Sequence, residues 1–127
     1  MRIKSTVLDQ RFSLLVRALH DWTCEKCGTK YGPRHRGLHT SHYFGRAAKS
    51  TRFSLLNCDC LCMGCHRYME ANPHAYYVWK LDKLGPEKYQ ELVEEHNQHV
   101  KFNKEFVADT RARIERQLQD LDSPDVV

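Results

Sequence analysis

The sequence predicts an α+β domain in which a metal-stapled middle segment sits between an N-terminal helix and C-terminal helices. Three observations predict this. Leu8, Phe12, Leu15, Val16 and Leu19 recur at helical spacing. The stretch 22–68 loses that period and holds five of the six glycines together with two Cys-x-x-Cys pairs. From Asn72 onward the helical pattern returns and runs to Leu121. A chain of 127 residues is one domain by the length prior, and a hydrophobic share of 41% supports a modest core. We divide it into an N-terminal helix at 6–21, a metal-bound core at 22–71 and a helical part at 72–122.

The elements follow in order. Thr6, with Asp9 three residues on, resembles a capping pair at the start of the first helix. Short strands are expected at 38–44 and 55–61, joined by a polar, basic loop carrying Gly45, Arg46, Lys49, Ser50 and Arg52. Helix resumes near Met63. Asn72-Pro73 reads as a cap followed by proline at the first helical position, and the helix it opens stops at Gly85-Pro86. Pro86 opens a further pattern through Tyr89, Leu92, Val93, His96, Val100, Val107, Ile114, Leu118 and Leu121. Unbroken to Asp120 it would be about 50 Å long at about 1.5 Å per residue. A domain this small cannot accommodate that length, so the helix must break near Asn97–Asn103 or pack on a second chain. Ser123 to Val127 is expected to fray.

Composition excludes some functions. No run approaches the roughly 18 apolar residues of a membrane span, and the Met1-Arg2-Ile3-Lys4 start lacks a signal-peptide core, so a cytoplasmic address is expected. Charge is uneven: residues 1–21 carry +2, residues 22–68 carry +6 and residues 69–127 carry −4. The positive charge coincides with the cysteine- and histidine-rich middle, where an acidic polymer is the natural partner.

Cys24-x-x-Cys27 and Cys62-x-x-Cys65, separated by 34 residues, suit one tetrahedral zinc ion. Without an export signal this reading is preferred to disulfides. Four thiolates leave no open coordination position, so the ion is structural, and Gly28 and Gly64 are expected to ease the two turns. Cys58 and Cys60 alternate with Cys62 along the second strand. They read as small buried residues, with replacement of Cys62 by one of them, or of a cysteine by His66, left open.

Between and after the knuckles lie His42, Asn57 and His66, the last directly following a zinc cysteine. Such a set suits phosphodiester hydrolysis. One imidazole takes a proton from water, an amide fixes that imidazole, and a second imidazole holds a divalent ion at the scissile phosphate. Arg46, Lys49, Arg52 and Arg67 are the candidate phosphate contacts.

The string His42-Tyr43-Phe44-Gly45-Arg46, Thr51-Arg52-Phe53, Asn57 and Cys62-x-x-Cys65-His66 is similar to the HNH, or His-Me finger, nucleases. More narrowly it resembles the NinG/Rap recombination proteins of lambdoid phages. That resemblance continues through Asn72-Pro73, Tyr76, Leu81 and Leu84-Gly85-Pro86-Glu87 to Leu92, covering roughly residues 24–95. It implies a ββα-metal core with His42 as general base, Asn57 as its positioning amide and His66 as ligand of a catalytic Mg2+ or Mn2+. It also implies phage recombination on branched DNA, such as Holliday junctions and displacement loops. Many such nucleases carry Asp or His just before the base; here Ser41 stands there, and His39, on the same side of a strand, is the possible substitute.

The expected activity is therefore metal-dependent endonucleolytic cleavage of branched DNA. The alternative is a non-catalytic zinc module that binds DNA through its basic surface and through stacking by Tyr31, Tyr43, Phe44 and Phe53. A third reading is an assembly factor acting through the acidic helical tail. Cutting a junction symmetrically implies a homodimer, with the C-terminal helices as its expected interface.

Overall fold

Residues 4–122 are described by the structure, a computed structural model; the predicted frayed end at 123–127 lies outside them. Helix α1 spans Val7–Leu19, β1 Leu38–His42, β2 Cys58–Cys62, α2 Met63–Ala71, α3 Pro73–His96 and α4 Lys104–Leu121. The two strands pair antiparallel, with Leu38 opposite Cys62 and His42 opposite Cys58. Residues 55–57, expected as strand, form a single 3-10 turn instead. Asn57 sits there with its side chain turned inward, and its side-chain hydrogen bonds belong to the loop.

Thr6 caps α1 in a reciprocal box, its hydroxyl accepting from the Asp9 backbone N–H while Asp9 accepts from the Thr6 N–H at 2.8 Å. Leu8, Phe12, Leu15 and Val16 are buried, each contributing about 1.5–3 kcal/mol by burial. Leu19, the last member of the predicted stripe, is 43% exposed and lies outside the core. Asn72 differs from expectation in its role. Pro73 does open α3, but Asn72 makes no capping bond and donates its amide back to the Tyr68 carbonyl. Gly85 adopts φ 80°, ψ 161°, which kinks α3 where the sequence predicts a stop and where a Cβ would be strained.

The chain breaks between His96 and Lys104, and α4 turns back onto α1. Ile114 is buried, Phe106, Val107 and Leu118 pack against the core, and Arg11 pairs with Glu115 at 2.7 Å. Much of the apolar stripe of α4 thus packs on the chain's own first helix and core, while Leu121 at its end stays 44% exposed.

The two faces of the sheet are held differently. Thr40 and His42 look toward α1, where the Thr40 hydroxyl lies 2.8 Å from that of Ser13 and the His42 ring 6.3 Å from Phe12. Toward α3, the sheet presents a buried polar group. The Asp59 carboxylate, fully enclosed, accepts from Lys80 at 2.8 Å, Lys83 at 2.6 Å and the Tyr76 hydroxyl at 2.6 Å. Ser41 lies 2.9 Å from the same Tyr76 hydroxyl. Lys83 reaches on to Glu25 of the first knuckle at 2.7 Å, and Glu25 accepts from the Cys60 N–H at 2.7 Å. Burial pushes the Glu25 carboxyl up, but His20, Lys83 and that N–H outweigh it and hold the group at about 2.

Removing the Asp59 carboxylate leaves the Lys80 ammonium in a dry interior. Asp59→Ala is expected to lower stability by about 3–5 kcal/mol in urea unfolding. A loss under about 1 kcal/mol would mean that Lys80 finds water, and that the pair does not organise the fold.

Candidate metal centre and histidine cleft

The ligand atoms of Cys24, Cys27, Cys62 and Cys65 all lie within 4.8 Å of one another. The Cys27 and Cys62 sulfurs are 3.8 Å apart, and two corners of a tetrahedron with metal–sulfur bonds of about 2.3 Å are separated by about 3.8 Å. Four sulfurs at such spacing can hold one zinc ion. Each knuckle is built locally. In the first, the Gly28 N–H closes a turn on the Cys24 carbonyl at 2.9 Å, and Gly28 takes φ 77°, the left-handed backbone that needs glycine. In the second, Cys62 ends β2 and starts α2, its sulfur accepting from the Cys65 N–H at 3.5 Å. Gly64 lies inside the first turn of α2 with no positive φ, so its predicted easing role is not needed. Hydrogen bonding to Thr29 holds the Cys27 thiol down at about 6, poised to ionise onto a metal. Cys58 and Cys60 are buried outside the cluster, and burial raises both thiols, Cys60 to about 12.

Beside this centre runs a cleft of about 510 Å³, lined by Asp9, Ser13, Arg17 and Thr40 along one side and by His42, Arg46, His66 and Glu70 along the other. His42 ends β1, and its Nε2 lies 2.9 Å from the Arg52 carbonyl. A carbonyl only accepts, so Nε2 carries the hydrogen and Nδ1 carries the lone pair. Burial pushes the His42 imidazole below its usual value, so the ring is neutral at pH 7.

Asn57 serves this arrangement at one remove. It does not bond to His42; its Oδ1 accepts from the Phe44 N–H at 2.8 Å, and its amide donates to the Phe44 and Thr51 carbonyls at 2.9 and 3.1 Å. It thereby clamps the two ends of the loop that presents the Arg52 carbonyl. The expected imidazole-fixing amide is a loop clamp, and the backbone of Arg52 does the fixing.

His66 stands in the first turns of α2, with Nδ1 3.0 Å from Nδ1 of His39 and Nε2 3.0 Å from the Glu70 carboxylate. Ser41 is turned to a different partner, its side chain buried against Tyr76 on the α3 face. Among the basic candidates, Arg46 lines the cleft. Lys49 borders a separate groove of about 590 Å³ shared with Phe106 and Arg113, and Arg67 is exposed on α2. Arg52 is committed elsewhere: its guanidinium grips Asp9 with two bonds of 2.9 and 2.6 Å. The predicted stacking aromatics are also engaged. Phe53 is core, Phe44 lies flat on His96 at 3.8 Å, and the Tyr43 hydroxyl bonds that of Tyr89.

Sequence reading missed Glu70, Arg17 and the Asp59 network. The four-residue spacing of Glu70 from His66 on one helix face was an available signal. Arg17 and the Asp59 partners come together only through tertiary packing.

The fold and site define a small α+β domain in which four clustered cysteines, able to hold a metal ion, accompany a histidine-lined polar cleft. The chain belongs to the NinG family: the family model of the bacteriophage lambda NinG protein matches residues 7–124, from the start of α1 past the end of α4. No curated protein and no solved structure matches it. No helix among the described residues is long and apolar enough to cross a membrane.

Purified protein is expected to carry one zinc ion per chain by elemental analysis. Cys62→Ser should lose the metal and lower the melting temperature, while Cys58→Ser should keep it. Zinc retained by Cys62→Ser would mean that Cys58, Cys60 or His66 completes the site.

Proposed function

We propose that this NinG-family chain is a divalent-metal-dependent endodeoxyribonuclease of the HNH, or His-Me finger, type, acting on branched DNA in phage recombination. One observation carries the reading. A neutral imidazole with its tautomer set by a backbone carbonyl, His42, shares a cleft with a helix-borne imidazole, His66. The strand–loop–strand–helix order that joins them is also that of a ββα-metal core. A structural zinc on Cys24, Cys27, Cys62 and Cys65 would fix where α2 begins, and with it His66.

In this mechanism His42 accepts a proton from water through Nδ1 as the water oxygen bonds to phosphorus. The Arg52 carbonyl keeps the ring in the tautomer that leaves Nδ1 free and stabilises the imidazolium that results. His66 would hold a divalent ion, and such an ion would supply neutralisation of the charge that develops on the departing ester oxygen as its bond to phosphorus breaks. Arg46, at the cleft wall, holds a phosphate oxygen. Cutting paired strands calls for two chains, with the C-terminal helices as the interface.

The test is cleavage of labelled linear duplex, single-stranded, displacement-loop and four-way-junction DNA with Mg2+ or Mn2+. Branched substrates should be cut, and His42→Ala should lower the single-turnover rate by about 10²–10⁴ with DNA affinity unchanged. Binding without cutting under every ion would establish instead the non-catalytic DNA-binding module. The working form of His42 is the neutral one, and its folded value is depressed. The rate should therefore rise from low pH, pass its midpoint below about 6.5 and stay flat through neutrality. A midpoint well above neutrality would remove His42 from the role of base.

A further inference from the structure

α1 gives one stripe to the cleft: Asp9, Ser13 and Arg17, four residues apart along the helix, line its wall. The two carboxylates of the cleft are committed, Asp9 to the Arg52 guanidinium and Glu70 to His66 Nε2. Arg17 is different. Its Nε donates to the Ser13 carbonyl at 3.1 Å, and its guanidinium carbon lies 5.3 Å from the centre of the Trp22 ring. These contacts fix the plane of the group and leave its two terminal nitrogens unused. Among the described residues no carboxylate pairs with Arg17, whereas Arg11 has Glu115 and Arg52 has Asp9.

A half-buried cation without a countercharge is unfavourable, and here a second cation stands beside it. Burial lowers the Arg17 pKa and the neighbouring Arg34 charge lowers it further, against the pull of Cys60. Arg34 is exposed and holds a left-handed backbone at φ 64°. A residue with a Cβ keeps that conformation only where its surroundings impose it, and such positions gather at functional sites. A guanidinium held in one plane offers parallel N–H donors to two oxygens of a phosphate, and a second charge at its side strengthens the grip.

We propose that Arg17 and Arg34 form a second phosphate subsite, which holds a DNA backbone phosphate neighbouring the one that is cut. Arg17 stands on the α1 wall and Arg46 on the facing one, so the strand is held from both sides while it passes His42 and His66. Arg17 thereby sets the register of the strand, deciding which phosphodiester reaches His42. The proposal rests on the nuclease reading for the place of the scissile phosphate, but not for the grip on DNA.

The experiment uses the full chain and labelled four-way-junction DNA, without added Mg2+ or Mn2+. Affinity is read by fluorescence anisotropy between about 50 and 200 mM salt. Arg17→Gln should weaken binding roughly tenfold and flatten the slope of log affinity against log salt by about 1. Arg34→Gln should act in the same direction, more weakly. Arg17→Lys keeps the charge without the fork, so it should restore the slope and only part of the affinity. Single methylphosphonates, which remove one backbone charge, are then stepped along one strand through the branch point. One position should weaken binding to the unaltered chain and have no effect on Arg17→Gln. Where Arg17→Gln changes circular dichroism or the cysteine-bound zinc, Arg34→Gln, at an exposed position, carries the same comparison. Unchanged affinity and salt slope in a folded variant, or the same methylphosphonate profile as the unaltered chain, overturns the proposal. The expected profile from a chain that cuts no DNA with any ion would overturn the nuclease reading alone.

Discussion

Asp59 is where the architecture meets. A sheet of two strands is marginal by itself, and among the described residues this one has no third strand to complete it. Its α1 side is closed by ordinary apolar packing of Phe12, Leu15 and Val16. Its α3 side is closed by one carboxylate that binds Lys80, Lys83 and Tyr76 at once. A buried charge is tolerated only where it is neutralised and hydrogen-bonded, so α3 has a single acceptable register against the sheet. Through Lys83 the same network reaches Glu25 and so the first cysteine knuckle, tying sheet, helix and metal centre into one unit.

The cleft inherits its precision from that unit. β1 delivers His42 at its end, β2 runs without a loop into α2 and delivers His66, and the cysteine knuckles hold the junction between them. The third contribution is backbone. The Arg52 carbonyl sets the His42 tautomer, and Asn57 and the Arg52–Asp9 pair hold the loop that presents it. An arginine whose side chain is spoken for can thus matter through its main chain.

Much of the local structure was legible. The α1 stripe, the Thr6–Asp9 box, the Gly85 kink and the break before Asn103 follow from spacing, capping and the length limit of a small domain. The clustering of the four cysteines was legible because a Cys-x-x-Cys pair is a local geometry repeated twice. What could not be read depends on where distant segments land. Arg52 looked like a free cation because its partner Asp9 is 43 residues away in sequence. Phe53 looked like a stacking platform because only the docking of α1 and the return of α4 make it core. Lys80, a residue type that by itself belongs at the surface, is sealed against a strand aspartate that lies among cysteines in the sequence.

The loop between the strands is fastened far from the metal centre. Phe44 lies on His96, the Ser50 hydroxyl donates to the His96 carbonyl at 2.8 Å, and Ser54 bonds Glu95. The last turn of α3, whose carbonyls have no helical partner, therefore serves as an anchorage for the strand-connecting segment. This bears on what can be inherited or engineered as a module. A cassette of residues 22–71 grafted into another host would carry every cysteine and both cleft histidines. It would lack His96, Glu95 and Asp9, and with them the backing that aims the Arg52 carbonyl. The smallest portable piece therefore includes α1 and the whole of α3, and recombination points inside α3 would separate the histidines from the part of the chain that orients one of them.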